Sequence, residues 1–275
     1  MGADTKQLRI RIKSVDSSLH LTKAMGLVAS SKIRRANEEM DKSVAYAETL
    51  DKMISELASS PECRKSPFID TGNTGDTKEK KEPRTRLVVI AGDRGLAGGY
   101  NANIFRMLKQ YPEAEVYPIG RRICDRVEAE FISSESYSAK DAYELSKTMC
   151  DDFLAGKFDR LGILCTKYIN MMSQEAEIRW ILPVSVKGDS VKSGMVFEPD
   201  ERTVLDSAVP EYVAGMFVAA VRESFACEVA ARRIAMDSAE KNAKQMRENL
   251  ELEYNRARQS SITQEITEIV AGSGK

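Results

Sequence analysis

The chain has 275 residues, which suits one or two domains, and a net charge of -1 at pH 7. The even charge balance argues against a general nucleic-acid binder. The composition is 42% hydrophobic and 30% charged, which suits a modest core with much exposed helical surface. The five cysteines are scattered without CxxC spacing, which indicates reduced thiols in a cytoplasmic protein rather than a disulfide framework or a zinc site. We expect no apolar run to reach the ~20 residues that a membrane span needs.

The N-terminal segment, residues 1–60, predicts one long helix. From residue 3 to residue 60 it holds one glycine, Gly26, and no proline. Its apolar residues step by threes and fours, close to the 3.5-residue repeat of a coiled coil. They are Ile33, Ala36, Met40, Val44, Ala47, Leu50, Ile54 and Leu57. Residues 1–35 also carry an excess of lysine and arginine, which indicates either a solvated helix face or a docking surface for an acidic partner.

The middle of the chain predicts a linker followed by a layered domain. Residues 61–85 are interrupted by proline and glycine and include a charge run at 77–82, as in a linker or a mobile loop. Residues 86–195 then alternate strand patterns (87–90, 116–119, 161–165, 177–184) with helix patterns (101–110, 121–131, 139–154). The predicted fold class is therefore an α/β central domain with a largely parallel sheet in Rossmann-like layers.

The C-terminal segment predicts a second long helix, residues 209–275, after a connecting loop at 196–208. Neither glycine nor proline occurs from Met216 to Ala271. A helix of that length, at about 1.5 Å per residue, is too long for a compact domain of this size. Its apolar stripe runs through Ala239, Ala243, Met246, Leu250, Tyr254 and Ala257, and then a polar break occupies positions 258–261. We expect the two terminal helices to form a long antiparallel coiled coil, much of whose length contacts other molecules.

The glycine-rich turn at residues 92–99 is the most enzyme-like feature. Such a turn between a strand and a helix either holds phosphate on backbone N–H groups or permits a tight structural turn. Its GxxGxxGG spacing matches neither common nucleotide fingerprint, and Asp93 would repel phosphate. His20 is the only histidine, and no serine or cysteine is spaced to join it in a triad. The sequence therefore predicts no catalytic, cofactor-binding or metal-binding residues.

The segment 256–261 joins two arginines to a glutamine and two serines. Arginine offers a rigid fork of donors that suits carboxylates, and glutamine adds a donor and an acceptor. The segment is either a reversible latch for a partner or ordinary solubilising surface.

Four motifs occur in order along the chain. They are residues 12–15 with 21–25 and 28–32, residues 93–99 with Asn101, residues 168–170 with 173–174, and residues 255–270. Together they resemble the gamma subunit of bacterial F-type ATP synthase, the central rotor stalk, over nearly the whole chain. The absence of a transit segment also leads us to expect a bacterial source.

The resemblance implies a mechanical function. The paired helices would enter a head of alternating alpha and beta subunits, and the α/β domain would meet the epsilon subunit and the c-subunit ring. Rotation would couple proton or sodium flow to ATP synthesis or hydrolysis. Catalytic residues and nucleotide would belong to alpha and beta, so this chain would be a non-catalytic subunit without a cofactor. It would be peripheral to the cell membrane on the cytoplasmic side, held there only through partners.

The resemblance also implies contact residues for the head. Arg258 and Gln259 match the family's catch residues, which hydrogen-bond to loops of the head. Thr263 and Glu265 lie on the same contact helix.

The resemblance implies two further sets of contact residues, one facing the lever of the beta subunit and one in the foot domain. Lys23 and Met25 match the position that faces the acidic lever of the beta subunit. Glu198 and Asp200 lie in a stretch similar to the segment that meets the c ring. Ala97 stands where many relatives have cysteine, so no thiol role is implied there.

Two other functions compete with the rotor. One is a nucleotide-binding α/β enzyme with helical oligomerisation arms, which should bind ATP or NAD tightly on its own. The other is a homodimeric coiled-coil adaptor for DNA, which the net charge of -1 disfavours.

Overall fold

The computed structural model describes residues 2–70, 83–185 and 197–272. The chain forms two compact units, one comprising residues 1–31 with 232–275 and the other comprising residues 32–231. These are termed the helical-pair unit and the sheet unit.

Five α-helices and six strands occur in the described part of the chain. In order they are α1 (Gly2–Ala58), β1 (Ile69–Asp70), β2 (Thr85–Ile90), α2 (Tyr100–Leu108), β3 (Glu115–Ile119), α3 (Arg121–Val127), α4 (Ala139–Leu154), β4 (Arg160–Asn170), β5 (Ser173–Leu182), β6 (Val184–Ser185) and α5 (Glu201–Gly272).

The main sheet of the sheet unit has four strands in the order β3-β2-β4-β5. β2 pairs in parallel with both neighbours, so that Leu87 lies opposite Val116 on one side and Gly162 on the other. β4 and β5 form an antiparallel hairpin, with Ile163 opposite Arg179. The prediction of a largely parallel sheet is confirmed. The edge strand is antiparallel because only two residues separate β4 from β5, too few for a parallel crossover.

Alternate residues of the central strands face opposite helical layers. Val88 and Ile90 of β2 and Ile163 of β4 belong to the core that includes α1, α4 and α5. Leu87 and Leu164 face the other way, toward α2 and α3. All five are fully buried, and burying each such side chain contributes about 1.5–3 kcal/mol. The sheet unit therefore has three layers, with helices on both faces of the sheet.

The part of α1 in the sheet unit buries the predicted apolar stripe. Every member is buried or half-buried: Ile33, Ala36, Met40, Val44, Ala47, Leu50, Ile54 and Leu57. α5 approaches this stripe closely at Gly215, where an added Cβ would lie 2.5 Å from Leu50 Cδ1. The spacing of the apolar residues therefore predicted the packed face correctly.

Within the described residues, two helix bounds differ from the prediction by more than two residues. α3 ends at Val127, four residues short of the predicted end, because Glu128 adopts a φ of 55° and a left-handed residue terminates a helix. α5 begins at Glu201, so residues 201–208 are helical and do not form a connecting loop. The Asp200 carboxylate accepts hydrogen bonds from the Thr203 N–H and hydroxyl, both at 2.8 Å, which is the usual cap of a helix N-terminus.

The first part of the predicted linker is folded. A 3-10 turn at Cys63–Lys65 leads to β1, which pairs in parallel with β6. Phe68 stacks on Phe153 of α4 with 5.9 Å between ring centroids, so this segment adds to the core. The charge run at 77–82 and the predicted domain residues 186–195 lie outside the described residues.

In the helical-pair unit, residues 2–31 of α1 lie antiparallel to residues 232–272 of α5. A Cβ on Gly26 would sit 3.6 Å from the Met236 Cβ, and Arg247 Nη1 lies 3.4 Å from Asp16 Oδ1. The predicted antiparallel pairing is confirmed.

The α5 seam of this pair departs from the predicted stripe at one position. Met246 is 51% exposed, and the half-buried Arg247 faces α1 in its place. The other predicted members are buried or half-buried, namely Ala239, Ala243, Leu250, Tyr254 and Ala257. The seam positions 243, 247, 250, 254 and 257 alternate steps of four and three, which is regular heptad spacing. The prediction that Met246 lies in the seam was therefore wrong. It followed from the apolar side chain of Met246, whereas the heptad repeat places Arg247 in the seam.

One stretch of α5 corrects the expectation that no segment is apolar enough for a membrane span. An 18-residue window has a mean hydropathy of 1.4, and 56% of that window is buried inside the fold. α5 side chains such as Val213 and Phe217 are fully buried in the sheet-unit core. The apolar composition of α5 is thus explained by its place in the core.

Candidate functional site

The candidate contact residues near the end of α5 lie on exposed helix surface. Arg258, Gln259, Thr263 and Glu265 are all exposed. The Thr263 hydroxyl donates to the Gln259 backbone oxygen at 2.9 Å, and the Ser261 hydroxyl lies 3.4 Å from Glu265 Oε1. Among the described residues, none hydrogen-bonds to the Arg258 guanidinium or to the Gln259 side-chain amide. Both groups are therefore available to a partner's carboxylates and carbonyls.

Apolar side chains follow this polar group to the end of the helix. Ile262, Ile266, Ile269 and Val270 are 43%, 56%, 70% and 65% exposed. Apolar residues that cluster on an exposed surface mark sites of interaction. We call residues 258–270 the tip surface.

The tip surface is exposed because α5 extends past the start of α1. Met236 lies level with Gly26, and counting outward along each antiparallel helix brings Gly2, the first helical residue, level with position 260. Ser261 is the last half-buried residue, and every described residue after it is exposed. The polar break in the sequence thus coincides with the level at which α1 begins.

Lys23 and Met25 lie on the helical-pair unit as well, on α1. Lys23 is exposed and Met25 is half-buried. The pKa of Glu240 is held below its usual value, first by a hydrogen bond from Lys244 and further by the positive charges of Lys244 and Lys23. Lys23 is therefore close to an acidic residue of α5 and also faces solvent.

Sequence reasoning missed a group of exposed apolar residues on α1. Ile10, Leu21, Leu27 and Val28 are between 53% and 61% exposed. In the sequence, only the seven-residue spacing of Leu21 and Val28 could have indicated them, because it places both residues on one helix face outside the buried seam. They add contact area to the same unit as the tip surface.

Glu198 and Asp200 belong to the sheet unit, not to the helical-pair unit. Both are exposed, but their environments differ. Asp200 caps α5, and the hydrogen bond from the Thr203 N–H is the main cause that lowers the pKa of its carboxyl. The Asp200 carboxylate is thus engaged in the fold, whereas the Glu198 side chain is exposed to partners.

The glycine-rich turn is organised around Asp93. Its carboxylate accepts hydrogen bonds from the Ser133 hydroxyl at 2.7 Å, from the N–H groups of Ser134 and Glu135 at 3.1 Å each, and from the Arg121 N–H at 3.2 Å. Burial works to raise the pKa of Asp93, but these hydrogen bonds outweigh it and lower the pKa. The carboxylate thus joins the turn to the first residue of α3 and to residues 133–135, and its negative charge would repel a phosphate in the turn. The turn has a structural role.

A cleft of about 470 Å³ lies in the sheet unit between α1, β5 and α5. Its central charges are already paired, because Arg179 donates to Glu177 at 2.6 Å and to Glu223 at 2.7 Å. The Tyr212 hydroxyl donates to Asp51 at 3.2 Å. This pattern is one of ion pairs rather than of a nucleophile with its base. In residues 2–70, 83–185 and 197–272, no group of three His, Cys, Asp or Glu side chains is placed to hold a metal ion.

Comparisons with known sequences cover nearly the whole chain. A family model described as ATP synthase matches residues 4–274. The ATP synthase gamma chain of Ruminococcus albus is 37% identical over 289 residues, which cover 98% of this chain and 98% of that protein. The gamma chain of Clostridium perfringens is 33% identical and covers 99% of this chain and 98% of its own length. That of Xanthomonas campestris is 33% identical, with coverage of 98% and 99%.

Solved structures share the fold. A chain in the rotor of Euglena gracilis mitochondrial ATP synthase has a TM-score of 0.62 at 17% identity, covering 95% of this chain and 100% of that one. A second Euglena gracilis chain, from an OSCP/F1/c-ring structure, has a TM-score of 0.65 at 17% identity, with coverage of 99% and 94%. A chain from the central stalk and c-ring of Tetrahymena thermophila mitochondrial ATP synthase has a TM-score of 0.58 at 19% identity, with coverage of 80% and 99%.

Proposed function

The chain belongs to the ATP synthase family as a gamma chain, and we propose that it works as the central rotor shaft of an F-type ATP synthase. In this function it transmits torque between the membrane c ring and the alpha/beta catalytic head. The rotation couples ion flow to ATP synthesis or hydrolysis.

The tip surface is the observation that carries this proposal. Exposed arginine and glutamine side chains lie beside exposed isoleucines, on a helix end that extends past its partner helix. A water-soluble chain gains nothing from exposing Ile262, Ile266 and Ile269 unless another protein covers them. The surface therefore suits insertion into the head, where surrounding subunits would bury the apolar side chains.

Arg258 and Gln259 are the proposed catch residues, with Thr263 and Glu265 on the same contact helix. An arginine fork suits carboxylates, and a glutamine amide suits polar loops. Exposed ion pairs contribute only about 0–1 kcal/mol each. Contacts of that strength form and break as the rotor turns, whereas one tight contact would hold it at a single angle.

Lys23 and Met25 are proposed to face the lever of the beta subunit. Lys23 is exposed, and the first 35 residues carry an excess of lysine and arginine. This charge complements an acidic segment and speeds association with it. The exposed Leu27, four residues further along the same face of α1, supplies apolar contact area.

The sheet unit is the proposed foot, which would meet the epsilon subunit and the c ring. Glu198 is exposed next to the start of α5, which makes it the more suitable of the two candidate residues for a partner. The proposed part for Asp200 is indirect, since its carboxylate holds the first turn of α5.

We assign no catalytic step to this chain. Asp93 joins the glycine-rich turn to the first residue of α3, and the charges in the sheet-unit cleft are paired with one another. Nucleotide chemistry is therefore proposed to belong to the alpha and beta subunits. The chain would reach the cytoplasmic side of the cell membrane through its partners.

Co-expression with the alpha and beta subunits tests the proposal. We expect purification through a tagged beta subunit to recover this chain in an assembly that hydrolyses ATP. Failure of the folded chain to co-purify would contradict the rotor function.

A calorimetric titration of the isolated chain with ATP separates the rotor from the competing enzyme. We expect no heat of binding from the rotor. Tight binding would favour a nucleotide-binding enzyme with helical arms.

A further inference from the structure

The seam of the helical-pair unit carries little information about alignment. Ala239, Ala243 and Ala257 supply much of the α5 side, and small side chains bury little area each. Alanine seams that are shifted by one heptad place similar side chains against each other. A feature other than apolar packing has to specify how α1 and α5 align.

A polar network centred on Arg247 crosses this seam. Arg247 Nη1 of α5 lies 3.4 Å from Asp16 Oδ1 of α1. Within α1, His20 Nε2 lies 3.7 Å from Asp16 Oδ2, and within α5, Arg247 Nε lies 3.6 Å from Glu251 Oε1. Arg247 occupies a position of the heptad seam, where polar residues specify register at some cost in stability.

Shifted alignments are penalised by charge. Moving α1 by one heptad replaces Asp16 opposite Arg247 with Arg9 in one direction and with Lys23 in the other. Both replacements set two positive charges against each other, and a juxtaposition of like charges selects against the wrong pairing.

A second hydrogen bond between the two helices does not distinguish the observed alignment from a shifted one. Arg233 Nη1 donates to the Gly26 backbone oxygen at 3.1 Å. Every turn of a helix presents a similar carbonyl, so this bond tolerates a shift. Asp16, in contrast, is the only carboxylate between residues 5 and 31 of α1.

We propose that Arg247 and Asp16 are positioning residues that align the first turns of α1 with the end of α5. The pair lies eleven residues before Arg258 on α5, which is about three helical turns. The pair thereby fixes both the axial position of the tip surface and its orientation about the helix axis relative to α1. The consequence for coupling depends on the proposed function, whereas the alignment itself does not.

Cysteine cross-linking of the full-length chain measures the alignment. Counting from the level pair Gly26 and Met236 places Thr5 level with Ala257. The pair Thr5→Cys with Ala257→Cys therefore reports the observed alignment, and Thr5→Cys with Gln264→Cys reports a shift of one heptad. A third pair, Gly26→Cys with Met236→Cys, has a Cβ separation near 3.6 Å, which suits a disulfide, and reports the observed alignment a second time.

We expect the parent chain to form the first and third cross-links and not the shifted one. Asp16→Leu with Arg247→Leu should lose much of the first and third cross-links and gain the shifted one, because sliding one helix by a heptad separates every level pair by about 10 Å. Asp16→Glu with Arg247→Lys retains the charge pattern and should behave as the parent. The proposal is overturned if the Leu/Leu chain gives the first cross-link at the parent yield and no shifted product.

Coupling is then measured in the complex with alpha and beta. The Leu/Leu chain could lose the observed alignment without any change in the number of ions pumped per ATP hydrolysed. In that case Arg247 and Asp16 do set the alignment, but the alignment does not matter for coupling in the rotor. If the alignment is unchanged, the positioning proposal fails whatever the coupling shows.

Discussion

Arg179 of β5 and Glu223 of α5 form an ion pair in which Nη2 lies 2.7 Å from Oε2. The Glu223 side chain is only 8% exposed and also accepts the Tyr168 backbone N–H at 2.9 Å. Burial works to lower the pKa of Arg179, but the surrounding negative groups, Glu223 among them, outweigh it and raise the pKa. The guanidinium stays charged, and the pair joins the edge of the sheet to the long helix.

Removing one partner of this pair should destabilise the chain. Glu223→Ala leaves the half-buried Arg179 guanidinium with a single carboxylate and leaves the Tyr168 N–H without its acceptor. We expect a loss of about 3 kcal/mol in the free energy of unfolding, measured by urea denaturation. Glu211→Ala, on an exposed face of α5, is the control and should change it by less than about 0.5 kcal/mol. Equal effects of the two substitutions would contradict this account.

Gly120 should not tolerate a side chain. Its φ is 100°, and an added Cβ would lie 1.9 Å from the Ala91 backbone oxygen. Gly156 also has a positive φ, 65°, but no atom lies within 4 Å of its added Cβ. Gly156→Ala should therefore cost only the conformational penalty of about 1–2 kcal/mol. Gly120→Ala should cost several times more or prevent folding, as judged by soluble yield and thermal unfolding. Similar melting temperatures for the two variants would show that the close approach at Gly120 is not critical.

Asp93 should make stability depend on pH in the acid range. Its folded pKa lies below its usual value, so its contribution is present above the unfolded pKa of about 3.9 and is lost as pH falls through the folded pKa. Asp93→Asn should be less stable than the parent at neutral pH. The difference should shrink toward acid pH by at most about 1.4 kcal/mol per pH unit. Urea denaturation across the acid range measures this, with the exposed Asp125→Asn as the control. A difference that stays constant with pH would argue against the charged form of Asp93 as the source.

Arg258→Ala and Gln259→Ala should weaken the interaction with the head without unfolding the chain. Both side chains are exposed, so the free energy of unfolding should change by less than about 0.5 kcal/mol. An exposed contact worth up to about 1 kcal/mol predicts up to a roughly fivefold loss of affinity for the alpha/beta assembly. Glu248→Ala, exposed on the same helix, is the control and should bind as the parent. The catch proposal is wrong if the two variants bind and couple as the control does, or if either unfolds the sheet unit.

Much of the fold could be predicted from local patterns in the sequence. Long stretches without glycine or proline indicated the terminal helices, and the heptad spacing found the buried face of α1. Buried-strand patterns found the central strands β2 and β4, since side chains of a central parallel strand are apolar on both faces, and an apolar pattern also found the edge strand β3. The strand pattern at 177–184 found most of β5, but neither its antiparallel pairing nor the early start of α5 was predicted, because both depend on short turns and caps rather than on periodicity.

The candidate site was predicted only in part. The polar break at 258–261 was visible in the sequence, and so was the possibility that it contacts a partner. The exposed leucines of α1 were missed, because an apolar residue in a helical pattern looks the same whether it faces a core or solvent.

The sequence by itself determined that this chain has two long pairing helices around an α/β domain, because period and composition are local properties. It also carried enough family resemblance to indicate a rotor. Only the tertiary structure decided that Arg247 rather than Met246 faces α1, that Asp93 fills the glycine-rich turn, and that α5 outruns α1 near residue 261. Each of these depends on side chains that are far apart in the chain and adjacent only after folding, and no local pattern records which of them meet.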